Sequence, residues 1–208
     1  MFIAHSPLGL IQTHYTNSIW NKKNILSEKD ITKVYMFSMV SSILPDFDLA
    51  FSFLYRLITN KFIHHHTFLT HSLLFYIGLS FISLLILLFF IKENKQLIRI
   101  FIFIFFITTT THILFDAIGS NMQLLYPFSN KNFTLLGTNP IINSNNIILQ
   151  YIFTPVLSLI EIILVIISLY IVLFKFRNQK FLFKYTSLTL MIISIISILT
   201  TVIFVILD

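Results

Sequence analysis

Seven side chains able to hold a divalent cation, His5, Asp46, Asp48, His66, His71, His112 and Asp116, are scattered through a 208-residue chain that has no cysteine. Imidazole and carboxylate donors without thiolate suit Zn, Mn or Fe(II). Such ions activate water and neutralise developing negative charge, the chemistry of phosphoester hydrolysis. Asp46 and Asp48 frame Phe47 directly after Pro45, a residue that breaks helices and lets two nearby carboxylates converge. By itself that dyad fits a surface turn as well. His64, His65, His66 and His71 put four imidazoles within eight residues, and His66 and His71 are the pair expected to reach a site. Their spacing suggests that one precedes a helix and the other lies in its first turn. His112 and Asp116, at i and i+4, project from one side of a helix.

The segments that must position these groups are apolar. Hydrophobic residues make up 56% of the chain, charged residues 11%, and the mean hydropathy is +0.88. This composition reads as an all-α polytopic membrane bundle. Four runs, residues 73–91, 97–118, 147–174 and 182–207, are long enough to cross a hydrocarbon core. Residues 34–58, interrupted at Pro45, Asp46, Asp48 and Arg56, and the more polar 3–20 bring the expected number of spans to five or six. A single membrane-embedded domain is expected over 1–208, with motif-bearing hairpins in 1–130 and two structural spans in 147–207. Glu161 is the only acidic group within those two spans.

The net charge of +6 is spread over loops and forms no basic face, which argues against nucleic acid as a partner and for membrane lipids. Basic residues concentrate at Lys22, Lys23, Lys29 and Lys33, at Lys92, Lys95 and Arg99, and at Lys175, Arg177, Lys180 and Lys184. The positive-inside rule makes these connections cytoplasmic. The intervening connections then lie on the other face.

Depth in a hairpin follows from the rise of about 1.5 Å per residue. About a turn near position 94, His71 lies 23 residues back, and His112 and Asp116 lie 18 and 22 forward. About a turn near 26, His5 lies 21 back, and Asp46 and Asp48 lie 20 and 22 forward. All are thereby expected at one face, the non-cytoplasmic one. His14 sits deeper and reads as structural. The hydroxyl run Thr108 to Thr111 suits contacts between helices.

In order along the chain, His5, Leu44-Pro45-Asp46-Phe47-Asp48, His66-Thr67-Phe68-Leu69-Thr70-His71-Ser72, His112-Ile113-Leu114-Phe115-Asp116 and Tyr126-Pro127-Phe128-Ser129 resemble the motifs of the YdjM-like, LexA-regulated, inner-membrane-bound metal-dependent hydrolases. Thr67 and Phe68 stand where that family usually has Arg and Gly, and Tyr126 where Trp is common. The resemblance implies a bacterial inner-membrane hydrolase with one or two divalent ions, of which a two-metal site is the preferred form. Its expected ligands are Asp46, Asp48, His66, His71, His112 and Asp116, with His5 a further ligand or an outer group. Asp46, Asp48 and His65 are the candidate catalytic groups, His65 as donor to a leaving group. The expected substrate is a phosphoester or other lipid-linked molecule. Two other readings stay open: a metal-ion transporter, whose site usually lies near the midplane, and a non-catalytic membrane scaffold. The sequence leaves the oligomeric state open.

Overall fold

The computed structural model describes residues 4–21, 26–61, 65–92, 94–134 and 155–207. Most of these residues are helical, with no strand among them; a lone antiparallel bridge pairs Met122 with Phe133. The chain divides into two compact units, residues 40–137 and residues 1–39 with 138–208.

The first of these units carries the α5–α6 pair. Helix α3 (Glu28–Ser41) ends as it enters this unit, and a 3-10 turn (Leu44–Asp48) follows. The break has a local cause. Pro45 lacks an N–H, and in a continuing helix its ring would collide with the carbonyl four residues back, that of Ser41, the last helical residue. Helix α4 (Leu49–Thr59) comes next and stops at Asn60, whose φ of 54° is the left-handed form that Asn tolerates at helix ends. Two short 3-10 turns (His65–Thr67 and Leu69–His71) lead into α5 (Leu73–Phe90). Asn94, with φ 52°, turns the chain into α6 (Lys95–Gly119). The core between α5 and α6 contains Tyr76, Ile113, Ala117 and Met122, with Leu44, Leu73, Phe75, Phe105 and Leu124 packed around it. Thr108 Oγ1 donates to the Ile104 carbonyl at 2.8 Å, so it accepts from Ser41 Oγ, also at 2.8 Å. A member of the hydroxyl run thus joins the end of α3 to α6.

The other unit holds α1 (His5–Tyr15), α2 (Asn17–Trp20), most of α3, α7 (Pro155–Tyr170) and α8 (Lys180–Leu207). Helix α1 packs on α7. Glu28 Oε1 accepts the backbone N–H of Phe181 at 3.0 Å and satisfies a donor at the start of α8. His14 Nδ1 lies 3.3 Å from the Tyr35 hydroxyl, in keeping with a structural role. Glu161 is buried on α7.

Among the described residues two helices are long and apolar enough to cross a membrane, Leu73–Phe90 and Lys95–Ile118, and a third span results if Glu28–Ser41 and Leu44–Thr59 count as one broken span. Two or three is fewer than the five to six expected. The run 3–20 is divided at Thr16, and α1, with 11 residues, is about 16 Å long against a core of about 30 Å. In the run 147–174, residues 147–154 lie outside the described residues, and α7 provides 16.

Candidate metal centre

Six of the seven candidate ligands lie in the unit that holds the α5–α6 pair, and three of its structural features set their positions. The 3-10 turn Leu44–Asp48 carries Asp46 and Asp48, the two turns before α5 carry His66 and His71, and the last two turns of α6 carry His112 and Asp116. His66 and His71 both precede α5; the expectation that one of them occupies its first turn is not met. The cause is Ser72, which is extended (ψ 135°) and whose Oγ donates to the Tyr126 carbonyl at 2.6 Å and lies 3.2 Å from that of Leu124. Leu73 N–H donates to the same Leu124 carbonyl at 3.0 Å. The helix cannot begin before the chain leaves this clamp.

Asp116 Oδ2 stands 3.1 Å from His112 Nε2, 3.7 Å from His66 Nε2 and 3.8 Å from His71 Nε2. Asp46 Oδ1 stands 3.5 Å from His112 Nε2 and 3.6 Å from His71 Nε2. Within this unit two triads of donor atoms result, His66, His71, Asp116 and Asp46, His112, Asp116, each with its atoms within 4.8 Å of one another. Both contain Asp116. Donors about 2.0–2.1 Å from a tetrahedral ion stand roughly 3.3–3.4 Å apart. The five nitrogen–oxygen separations of 3.1 to 3.8 Å lie within a few tenths of an ångström of that, and the other pairs of each triad lie within 4.8 Å. The residues present therefore fit a divalent cation.

The far nitrogens are held from behind. His112 Nδ1 is 2.6 Å from the Ser42 carbonyl, which can only accept, so the proton sits on Nδ1 and Nε2 carries the lone pair. His71 Nδ1 is 2.6 Å from Asp48 Oδ2, and Thr70 Oγ1 donates to that oxygen at 2.6 Å. Asp46 and Asp48 thus approach opposite nitrogens of one ring. Burial alone would lower the pKa of His71; the two carboxylates outweigh it and hold the ring above its ordinary value. His66, His71, His112, Asp48 and Asp116 are buried, whereas the Asp46 side chain keeps 20% of its surface and marks the open side.

His5 is the first residue of α1 in the other unit, where it is fully buried. The reading of His65 as a proton donor falls on a side chain outside those described, and His64 is outside the described residues altogether. Sequence reasoning missed the Ser42 carbonyl, a backbone group without a signature. Thr70 and Ser72, the hydroxyls flanking His71, are the signal in the sequence for the rest of its support.

An apolar helical chain with a buried histidine and aspartate cluster at the end of a helix pair is a membrane protein with a candidate metal centre. The chain belongs to the YdjM inner membrane protein family, whose model matches residues 10–202. No curated protein and no solved structure matches it.

Proposed function

We propose that the chain is a multi-pass metal-dependent hydrolase of the inner membrane, acting at the non-cytoplasmic face on a phosphoester or other lipid-linked substrate. One observation carries the reading: three imidazole Nε2 atoms and two carboxylates gather at one end of the α5–α6 pair, five of their nitrogen–oxygen separations lying between 3.1 and 3.8 Å. Asp46, His66, His71, His112 and Asp116 are the residues that would hold one or two divalent cations. Bound there, the cation supplies Lewis-acid polarisation of a phosphoryl oxygen and activation of water.

The chain's own groups do the rest. Asp48 and the Ser42 carbonyl keep protons on the Nδ1 atoms of His71 and His112 and aim both Nε2 lone pairs inward. Burial of most of the cluster excludes bulk water and strengthens each charge interaction. Asp46, the solvent-reached member, is the group placed to meet substrate and to accept a proton from an incoming nucleophile. Phe47 beside it and Leu69 in the turn before His71 are exposed and apolar, which suits a substrate carrying acyl chains.

The transport reading is weaker because the site is at a helix end. His71 precedes the first residue of α5, and Asp116 lies in the last turn of α6. The test is elemental analysis of untagged protein purified in detergent, paired with assays on phosphomonoester and lipid-phosphate substrates, for wild type and Asp116→Asn. The reading expects one or two ions per wild-type chain and hydrolysis, both lost in the variant. Bound metal with no hydrolysis, but with metal flux in vesicles, would replace it with the transporter. Absence of metal from both proteins would overturn it.

A further inference from the structure

The two imidazoles that serve the cluster are supported differently. Behind His112 stands a neutral carbonyl, that of Ser42, at 2.6 Å. Behind His71 stands a carboxylate, Asp48 Oδ2, also at 2.6 Å, and this same oxygen is held by the Thr70 hydroxyl at 2.6 Å. A carboxylate partner makes an imidazole a stronger donor than a carbonyl partner does, and loss of such a partner typically weakens metal binding about 10- to 100-fold. Asp48 is itself buried, and the oxygen that accepts these two hydrogen bonds faces Nδ1, on the opposite side of the ring from Asp46 and Asp116.

We propose that Asp48 is a positioning residue that acts through His71, and that it makes the His66, His71, Asp116 triad the tighter of two non-equivalent divalent-cation positions. This rests on the metal-centre reading above. Thr70 is the second member of the device: it fixes the Asp48 carboxylate in the orientation that meets Nδ1. The looser position belongs to Asp46, His112 and Asp116, whose imidazole has a neutral carbonyl at Nδ1 and whose Asp46 is reached by solvent.

The test titrates Co2+ into the metal-depleted full chain in detergent micelles, following the visible absorption of the bound ion. Wild type is expected to fill in two resolved steps. Asp48→Asn keeps an acceptor for Nδ1 but loses the charge, and it should weaken the tighter step about tenfold; Asp48→Ala should approach the 100-fold end. The weaker step should hold within about twofold. The spectrum at saturation should match wild type in both variants, because no ligand has been removed. Thr70→Val provides a variant that leaves every carboxylate in place and should weaken the same step severalfold. A saturated spectrum altered by Asp48→Asn would make Asp48 a ligand and overturn the proposal while sparing the metal centre. Equal weakening of both steps, an unchanged tighter step, or a single step in wild type would likewise overturn it. Absence of Co2+ binding in wild type would remove the metal-centre reading as well.

Discussion

Asp116 belongs to both donor triads, so replacing it by Asn should separate what holds the fold from what holds an ion. Its Oδ2 faces three imidazoles, with His112 Nε2 at 3.1 Å and those of His66 and His71 at 3.7 and 3.8 Å. Asn keeps an acceptor at that place. In the metal-free protein the change therefore removes a carboxylate charge from beside these rings rather than a hydrogen bond, a loss of about 1 kcal/mol. For a chain of this length that lowers the unfolding midpoint by about 2–4 °C. The linked term is larger. A cation at 100 times its Kd stabilises the protein that binds it by about 2.7 kcal/mol, an increment of about 5–10 °C. Because the carboxylate is common to both triads, the variant should lose this increment whichever position fills first. The assay is thermal unfolding in detergent with and without Zn2+ or Mn2+, read as the difference between the two midpoints for each protein. A variant that keeps the full metal-dependent increment would refute the shared-ligand geometry. An increment absent from wild type too would refute the metal centre.

Two further predictions concern the supports of the site. Ser72→Ala removes the hydroxyl that holds the Tyr126 carbonyl at 2.6 Å and leaves a part-buried acceptor without its donor, so it should cost about 1–3 kcal/mol; an unfolding midpoint within a degree of wild type would show that the clamp is dispensable. For pH, His71 in the folded, metal-free protein is held above the ordinary value of 6.5. Its protonated ring therefore stabilises the fold fully below about pH 6.5, and this contribution is lost as pH rises through the folded pKa. Metal requires the neutral ring, so Co2+ affinity should move the other way and strengthen over the same rise. Midpoints of the metal-free protein and Co2+ affinities, each measured between pH 6 and 9, should slope in opposite directions; parallel slopes would sink the assignment.

How much of this was legible in the sequence depends on how strongly each segment is constrained. The runs 73–91 and 97–118 reappear as Leu73–Phe90 and Lys95–Gly119 because some twenty consecutive apolar residues leave a buried or lipid-facing helix as the natural solution. Equal rise along the two arms was then enough to match the depth of His71 to that of Asp116, and their donor atoms lie 3.8 Å apart. The run 3–20, which the sequence leaves open as a span, is divided at Thr16, a break that apolar content at low periodicity does not reveal. The starting point of α5 was not readable either. It is set by the carbonyls of Leu124 and Tyr126, about fifty residues away in sequence, and no local pattern reports a backbone acceptor that arrives from so far.

The Pro-Asp-Phe-Asp segment shows why residue type and spacing alone left roles undivided. Both carboxylates were expected to converge, and both do reach His71, but from opposite sides: Asp46 Oδ1 lies 3.6 Å from Nε2 and Asp48 Oδ2 lies 2.6 Å from Nδ1. In a strand, residues i and i+2 point the same way and would compete for one place. In the 3-10 turn that follows Pro45, each residue rotates about 120°, so residues two apart diverge by about 120° and can embrace a ring between them. The proline thus has a consequence beyond ending α3. By forcing the tighter helix it narrows the angle between two chemically identical side chains from about 160° to about 120°, which sets one toward Nε2 and the second carboxylate and the other toward Nδ1 and Thr70. Replacing Pro45 by Ala would let α3 extend, return the dyad to about 100° per residue and rotate Asp48 relative to Asp46 by about 40°. That rotation is enough to break a 2.6 Å hydrogen bond while leaving every metal-binding residue in the sequence, so the Pro45→Ala variant should bind cation as weakly as Asp48→Ala does.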